Sequence, residues 1–314
     1  MRALRVTVLL ALAAVIAGLT AAGASAAPPQ YRHYVALGDS YASVGTVTTW
    51  HTDPIGCARA ADNYPSDLAA TLNPQTFVDI SCGGATTVEM TQPQSVILGT
   101  NPPQFSALTP DTDLVTLTIG GNDVGFGSIV GTCAALSVTN PVGNPCQAQY
   151  TAGGTDQLEA TIAATAPKID AVLDGIQQRA PHAKVVVVGY LRILPPTGGC
   201  WPLVPIASGD VPWLNTIEHD LNTMLGTRAA AHGASAVNPG ETTGHDACQL
   251  PWNKWVEGLI PTSLSIVPVH PNAAGQAHVA GLVAGALGGI ARGRRSASAG
   301  RPRAGRAHVP AAPG

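Results

Sequence analysis

From position 258 to its end the chain contains no aspartate or glutamate, so no carboxylate adjacent in sequence can orient the ring of His270. Other absences narrow the chemistry. No Cys-x-x-Cys occurs, and His245-Asp246-Ala247-Cys248 stands as a lone cluster. That argues against zinc, whose structural sites need paired ligands at short spacing. The glycine-rich stretch at 120–127 does not fit G-x-G-x-x-G, and no Walker lysine is present; a nucleotide loop is therefore not expected. A G-x-S-x-G elbow is also missing, which weakens the ordinary α/β-hydrolase reading. The apolar run at 6–19 is shorter than the ~20 residues a membrane-spanning helix needs.

That run follows Arg2 and Arg5 and precedes Ala24-Ser25-Ala26. A basic start, a short apolar core and a small-residue site form the pattern of a cleaved secretory signal, residues 1–26. At the other end, 292–314 carries six arginines among Ala, Gly, Ser and Pro. With no apolar periodicity, it is expected to be a disordered basic tail. Between these ends, 27–291 keeps 8 Lys+Arg against 19 Asp+Glu, a net charge of −11. An acidic body argues against nucleic acid as a partner. Its length of roughly 265 residues fits one large domain, long enough to bury a substantial core.

Six cysteines, even in number in a chain expected to be exported, predict three disulfides. Pairing neighbours in order closes three local loops: Cys57 with Cys82, Cys133 with Cys146, Cys200 with Cys248. Runs at 33–40, ending in a polar turn, 77–82, 114–120 and 184–194, and more weakly 234–240, are rich in Val, Ile and Leu, as strands buried on both faces are. Helical spacing of apolar residues links Leu158, Ile162, Ile169, Val172, Leu173 and Ile176, and again Trp213, Ile217, Leu221, Met224 and Leu225. Pro167 predicts either a kink or a fresh start in the first series. Alternating strands and helices imply a parallel sheet covered on both faces, with ligands beyond the carboxyl ends of the strands.

Three strand ends carry polar turns: Gly38-Asp39-Ser40, Cys82-Gly83-Gly84-Ala85 and Gly120-Gly121-Asn122-Asp123. With His270, before a Pro-Asn-Ala-Ala-Gly helix start, they offer a hydroxyl, amide hydrogens, a side-chain amide and an imidazole on one sheet edge. Acyl transfer to water needs these groups: a nucleophile, a base, and donors aimed at the developing oxyanion. Taken singly, each is more often a turn or helix-start residue. Their joint occurrence at successive strand ends favours chemistry.

Gly-Asp-Ser-Tyr at 38–41, the Cys-Gly-Gly-Ala glycine, Gly-Gly-Asn-Asp at 120–123 and His-Pro-Asn-Ala-Ala-Gly at 270–275 resemble the four blocks of the SGNH (GDSL-like) hydrolases. The resemblance is especially close to the secreted actinobacterial esterases and lipases with three disulfides. Tyr41 stands where the family name has leucine. The resemblance spans about 31–288. It implies a three-layer α/β/α sandwich, with a five-stranded mainly parallel sheet of flavodoxin-like type. It also implies Ser40 as nucleophile, His270 as base, and Ser40, Gly84 and Asn122 as the oxyanion site, with Gly83 the alternative to Gly84. Where most members have an aspartate, three residues before the histidine, this chain has Val267. In the secreted branch a main-chain carbonyl accepts the imidazole N–H instead; Val267 is expected to supply it, with Pro268 second. Glu257, Asp246 and Glu241 are the nearest acids if a remote carboxylate serves.

The expected activity is secreted, extracellular or wall-associated ester hydrolysis by a monomer, without metal or organic cofactor, on a small-molecule or lipid ester. The competing reading is a catalytically silent carbohydrate- or wall-binding domain on the same sheet. Lipase, phospholipase and sugar acetyl esterase stay open. Loops 41–64, 124–153 and 195–212 are expected to wall the cleft, with Trp50, Phe126, Leu203, Val204, Pro205 and Ile206 as apolar content, and Trp50 leaning towards lipid or aryl esters. His245 and His278 are assigned surface or packing roles.

Overall fold

The computed structural model describes residues 30–299, with side chains to position 288. The expected signal, 1–26, and positions 300–314 of the expected tail lie outside the described residues. The strands are β1 (His33–Gly38), β2 (Thr76–Asp79), β3 (Gln94–Val96), β4 (Gly99–Asn101), β5 (Leu114–Thr118), β6 (Lys184–Val188) and β7 (Ser235–Val237). The helices are α1 (Ser40–Ser43), α2 (Tyr64–Leu72), α3 (Gly121–Val124), α4 (Phe126–Ser137), α5 (Pro145–Thr151), α6 (Gln157–Arg179), α7 (Val211–Ala231) and α8 (Ala273–Ala299). The last carries its backbone past position 291.

Five strands form one sheet in the order β2-β1-β5-β6-β7, every pairing parallel. Residues 34–37, 114–118 and 186–188 are buried, so these central strands satisfy their backbone with each other and their side chains with helices on both faces. Helix α2 packs with α8, and α6 with α7, giving the two outer layers of an α/β/α sandwich. The strand order turns from one direction to the other between β1 and β5, and crevices of such sheets open at that point. Gly38 and Thr118 are register partners there, and Asp39 N–H donates to Thr118 O at 2.8 Å. A Cβ on Gly38 would lie 2.6 Å from the Thr118 carbonyl oxygen; only glycine admits that approach.

Helix ends follow local chemistry. Asn63 caps α2 by accepting from Ser66 N–H, with Pro65 in the first turn; Asp156 accepts from the backbone of Leu158 and Glu159 to start α6. Pro167 sits inside α6, which runs through it unbroken. Ile162 before it and Ile169 and Val172 after it are all buried on one face, and keeping that face in register offsets the ~3 kcal/mol an interior proline costs.

Two expected strands are shorter than their apolar runs. β2 stops at Asp79 and β6 at Val188. After β6 the chain is drawn off the sheet by Asn222, whose side chain accepts from Tyr190 N–H (2.7 Å) and donates to Tyr190 O (3.0 Å). The β3–β4 hairpin has too little apolar alternation to be foreseen. Disulfides join Cys57–Cys82, Cys133–Cys146 and Cys200–Cys248. Among the described residues no helix is long and apolar enough to cross a membrane.

Candidate active site

Asp39 starts α1 by accepting from Tyr41 N–H at 2.9 Å, which sets Ser40 at the first helical position, past the end of β1. His270 arrives from 230 residues downstream, just ahead of α8. Its Nε2 lies 2.7 Å from Ser40 Oγ, and its Nδ1 lies 2.7 Å from the Pro268 carbonyl oxygen. A carbonyl can only accept, so Nδ1 carries the proton and Nε2 of the neutral ring accepts from the serine hydroxyl. Burial lowers the His270 pKa, opposed by the bond to Pro268, so the ring stays a base at neutral pH.

The sequence places the propping carbonyl at Val267 first; the structure puts it at Pro268. The reason lies in Val269, a β-branched residue held at φ 61°. This left-handed residue turns the chain so that the carbonyl two residues before the histidine faces its ring. The strained turn is pinned at both groups: Val269 N–H donates to Gly258 O (3.2 Å), and Val269 O accepts from Tyr41 OH (2.8 Å). Tyr41, in the leucine position of the motif, therefore ties helix α1 to the turn before His270.

None of the three nearby acids reaches the imidazole. Glu257 is buried and accepts from Thr262 N–H (2.7 Å) and Asn272 Nδ2 (3.1 Å), bracing the loop from beneath. Asp246 accepts from Cys248 N–H and Gln249 Nε2. Glu241 contacts Asn238.

Ser40, Gly83, Gly84, Asn122 and His270 line one cleft of about 390 Å³. Gly83 N–H is committed to Cys57 O at 2.9 Å, which leaves Gly84, at φ +80°, as the glycine whose N–H has no protein acceptor among the described residues. Ser40 N–H is likewise unspent. Asn122 Nδ2 donates one hydrogen to Ala85 O at 2.8 Å, fixing the amide, and keeps a second. The arrangement can take a proton from Ser40 and present N–H donors to an oxyanion.

Several supporting residues carried no sequence signal. Gln104, fully buried, clasps the Gly38 peptide, accepting from its N–H (2.7 Å) and donating to its carbonyl (2.8 Å). Tyr190 OH donates to Asp39 Oδ2 (2.6 Å) and accepts from Gly121 N–H (2.7 Å), joining the Ser40 turn to the Asn122 turn. Asp39 is 1 % exposed, and burial raises its pKa to about 7 against the Tyr190 and Tyr41 hydrogen bonds. Between about pH 4 and 7 the native state keeps a proton that the unfolded chain has lost, so this group makes stability fall as pH rises, the fall being complete above its folded value. Asp39→Asn mimics the protonated acid. Melting temperatures from pH 4.5 to 8 are expected to decline less steeply in that variant than in the parent; equal slopes would contradict the assignment.

Of the expected wall residues, Phe126, Val204 and Ile206 line the cleft or the apolar cavity that continues from it, while Trp50, Leu203 and Pro205 do not. Trp50 instead forms an isolated antiparallel bridge with Ala60, so it supports no lean towards aryl esters. His245 and His278 sandwich Trp255 at 3.6 and 3.9 Å, in keeping with packing roles. Among the described residues no group of His, Cys, Asp and Glu is arranged to hold a metal.

The GDSL-like Lipase/Acylhydrolase family model matches residues 36–278. The chain belongs to that family. It is 40% identical over 271 residues to Lipase 2 of Streptomyces coelicolor, covering 84% of this chain and 89% of the relative. The crystal structure of phospholipase A1 from Streptomyces albidoflavus NA297 superposes with a TM-score of 0.65 at 32% identity, over 78% of this chain and 94% of that one. The extracellular lipase of Streptomyces rimosus gives 0.63 at 31% identity over the same shares. This GDSL-family protein is a serine ester hydrolase, which sets aside the reading of a catalytically silent binder.

Proposed function

We propose that this GDSL-family hydrolase is a secreted, monomeric enzyme that cleaves carboxylic esters of apolar acyl chains with a Ser40–His270 dyad. The 2.7 Å contact between Ser40 Oγ and His270 Nε2 carries the reading. As Oγ attacks the ester carbonyl carbon, its proton passes to Nε2, and the imidazolium keeps its Nδ1–H on Pro268 O. A carbonyl fixes tautomer and orientation as a carboxylate does, with less charge to offer the cation. The oxyanion of the tetrahedral intermediate takes hydrogens from Ser40 N, Gly84 N and Asn122 Nδ2. On collapse the alcohol leaves with the proton from Nε2. Water, deprotonated by the same nitrogen, then attacks the acyl-enzyme, releases the carboxylic acid and restores Ser40. No step calls for a metal or organic cofactor.

The cavity that shares Ser40 with the cleft supports this substrate class. Its wall is almost wholly apolar, with Ile129, Ile193, Leu194, Ile206 and Leu221 among the lining residues. Apolar surface favours an alkyl chain by ~0.8 kcal/mol per buried methylene. A lipase or phospholipase role, as the relatives' names suggest, therefore suits the site better than sugar deacetylation. An organophosphonate ester probe should label the protein once, at Ser40, and label Ser40→Ala not at all. Across an ester series from acetyl to long acyl, kcat/KM should rise by more than tenfold. Labelling that persists in Ser40→Ala, or a preference for acetyl, would overturn the assignment.

A further inference from the structure

The loops around the cleft carry a collar of exposed aliphatic side chains: Ile97, Leu98, Leu203, Ile260, Leu264 and Ile266, each between 49 and 86 % exposed. Three of them adjoin the cleft or its cavity directly. Leu203 precedes the cavity residue Val204, Ile260 follows Leu259, which lines both cleft and cavity, and Ile266 precedes Val267 of the cleft wall. Leu264 holds the loop in place, its carbonyl accepting from Val47 N–H at 2.9 Å. Ile97 and Leu98 form the two-residue tip of the β3–β4 hairpin. The Ile97 backbone packs so closely on Gly56, itself a cleft residue, that a Cβ there would be 2.6 Å away.

Two features set this collar apart from scattered surface aliphatics. The first is the hairpin tip. Two-residue turns favour Asn, Asp or Gly because they need left-handed backbone; here Leu98 takes φ 59° and is 86 % exposed. A bulky apolar residue held in strain and facing water gains nothing within this chain, which points to a partner outside it.

The second is charge. Stretches 90–110, 193–209 and 258–288, which carry the whole collar, and 124–155, which supplies Phe126, contain no Asp, Glu, Lys or Arg. The region 27–291 nevertheless has a net charge of −11. Entering the boundary between lipid head groups and acyl chains demands apolar side chains free of neighbouring charge. An acidic body meanwhile disfavours an anionic bilayer.

We propose that the collar docks the enzyme onto the surface of zwitterionic or neutral lipid aggregates, with the mouth of the cleft against the interface. The proposal rests on the ester-hydrolase reading above and names the physical state in which the substrate is met. A lipid ester can then pass from the aggregate to Ser40 without its acyl chain crossing water.

Co-sedimentation of the full chain with vesicles of ether-linked phosphatidylcholine, which cannot be hydrolysed, tests docking apart from chemistry. The parent and Ser40→Ala should bind equally. Leu98→Asp, Leu203→Glu and Ile260→Glu should each weaken binding by roughly tenfold, given the apolar area each loses. Combined they should abolish it, while turnover of a water-soluble acetyl ester stays within about twofold, given that none of the three is a cleft residue. Failure of the parent to bind, binding to anionic vesicles only, or unchanged binding by the triple variant would overturn the proposal. So would a dimer that the triple variant dissociates, since the collar would then serve a second copy. Vesicle binding with no ester turnover would remove the hydrolase reading and leave docking standing; turnover without binding would do the reverse.

Discussion

Ser40→Ala and His270→Ala are each expected to lower ester turnover by about 10⁴-fold or more, and the double variant by no more than either alone. The two side chains meet at 2.7 Å, and in the proposed mechanism they act as one device. Without the imidazole, Oγ keeps its proton and is a weak nucleophile; without the hydroxyl, the imidazole has nothing to activate. The measurement is a two-by-two set of kcat/KM values on a soluble ester. Multiplying losses would mean that the residues act independently, contrary to the geometry. In the parent, the acid limb of the pH profile should lie below the ordinary histidine value of 6.5, because burial lowers the His270 pKa. A neutral base is needed, so activity falls only once pH drops through that lowered value.

Asn122→Ala is expected to cost about 10²–10³ in kcat with little change in KM. Asn122 Nδ2 spends one hydrogen on Ala85 O, so the amide is fixed before substrate arrives, and its second hydrogen gains most when the carbonyl oxygen becomes negative. An interaction made chiefly in the transition state shows in kcat; one made equally in the ground state shows in KM. A variant that raised KM alone would move Asn122 from oxyanion binding to substrate binding. Removing the donor also leaves Ala85 O without its partner, so the melting temperature should be followed alongside, and a fall of only a few degrees keeps the kinetic result interpretable.

Much of the architecture was legible in the chain itself. Val-, Ile- and Leu-rich runs mark strands buried on both faces, and a period near 3.6 marks the helices between them. The parallel sheet follows from that alternation. Ser40, Gly84 and Asn122 could be located because each lies in a polar turn directly after such a run, and the carboxyl edge of a parallel sheet is where turns converge. His270 was marked by its place before a helix start. Cysteine pairs close in sequence could be matched because short loops constrain which partners meet.

The tertiary structure alone decided everything that depends on where an individual backbone group points. Which carbonyl props His270 is set by one left-handed residue, Val269, and composition does not encode a single dihedral. Which glycine keeps a free N–H is set by whether Cys57 O has already taken it. The links made by Tyr190, Gln104 and Glu257 join residues 66 to 151 positions apart, or brace a loop through its own backbone. A tyrosine, a glutamine and a glutamate have no periodic signature. Periodicity reports what is buried, because burial depends on area; hydrogen-bond partners depend on direction, and direction exists only once the chain has folded.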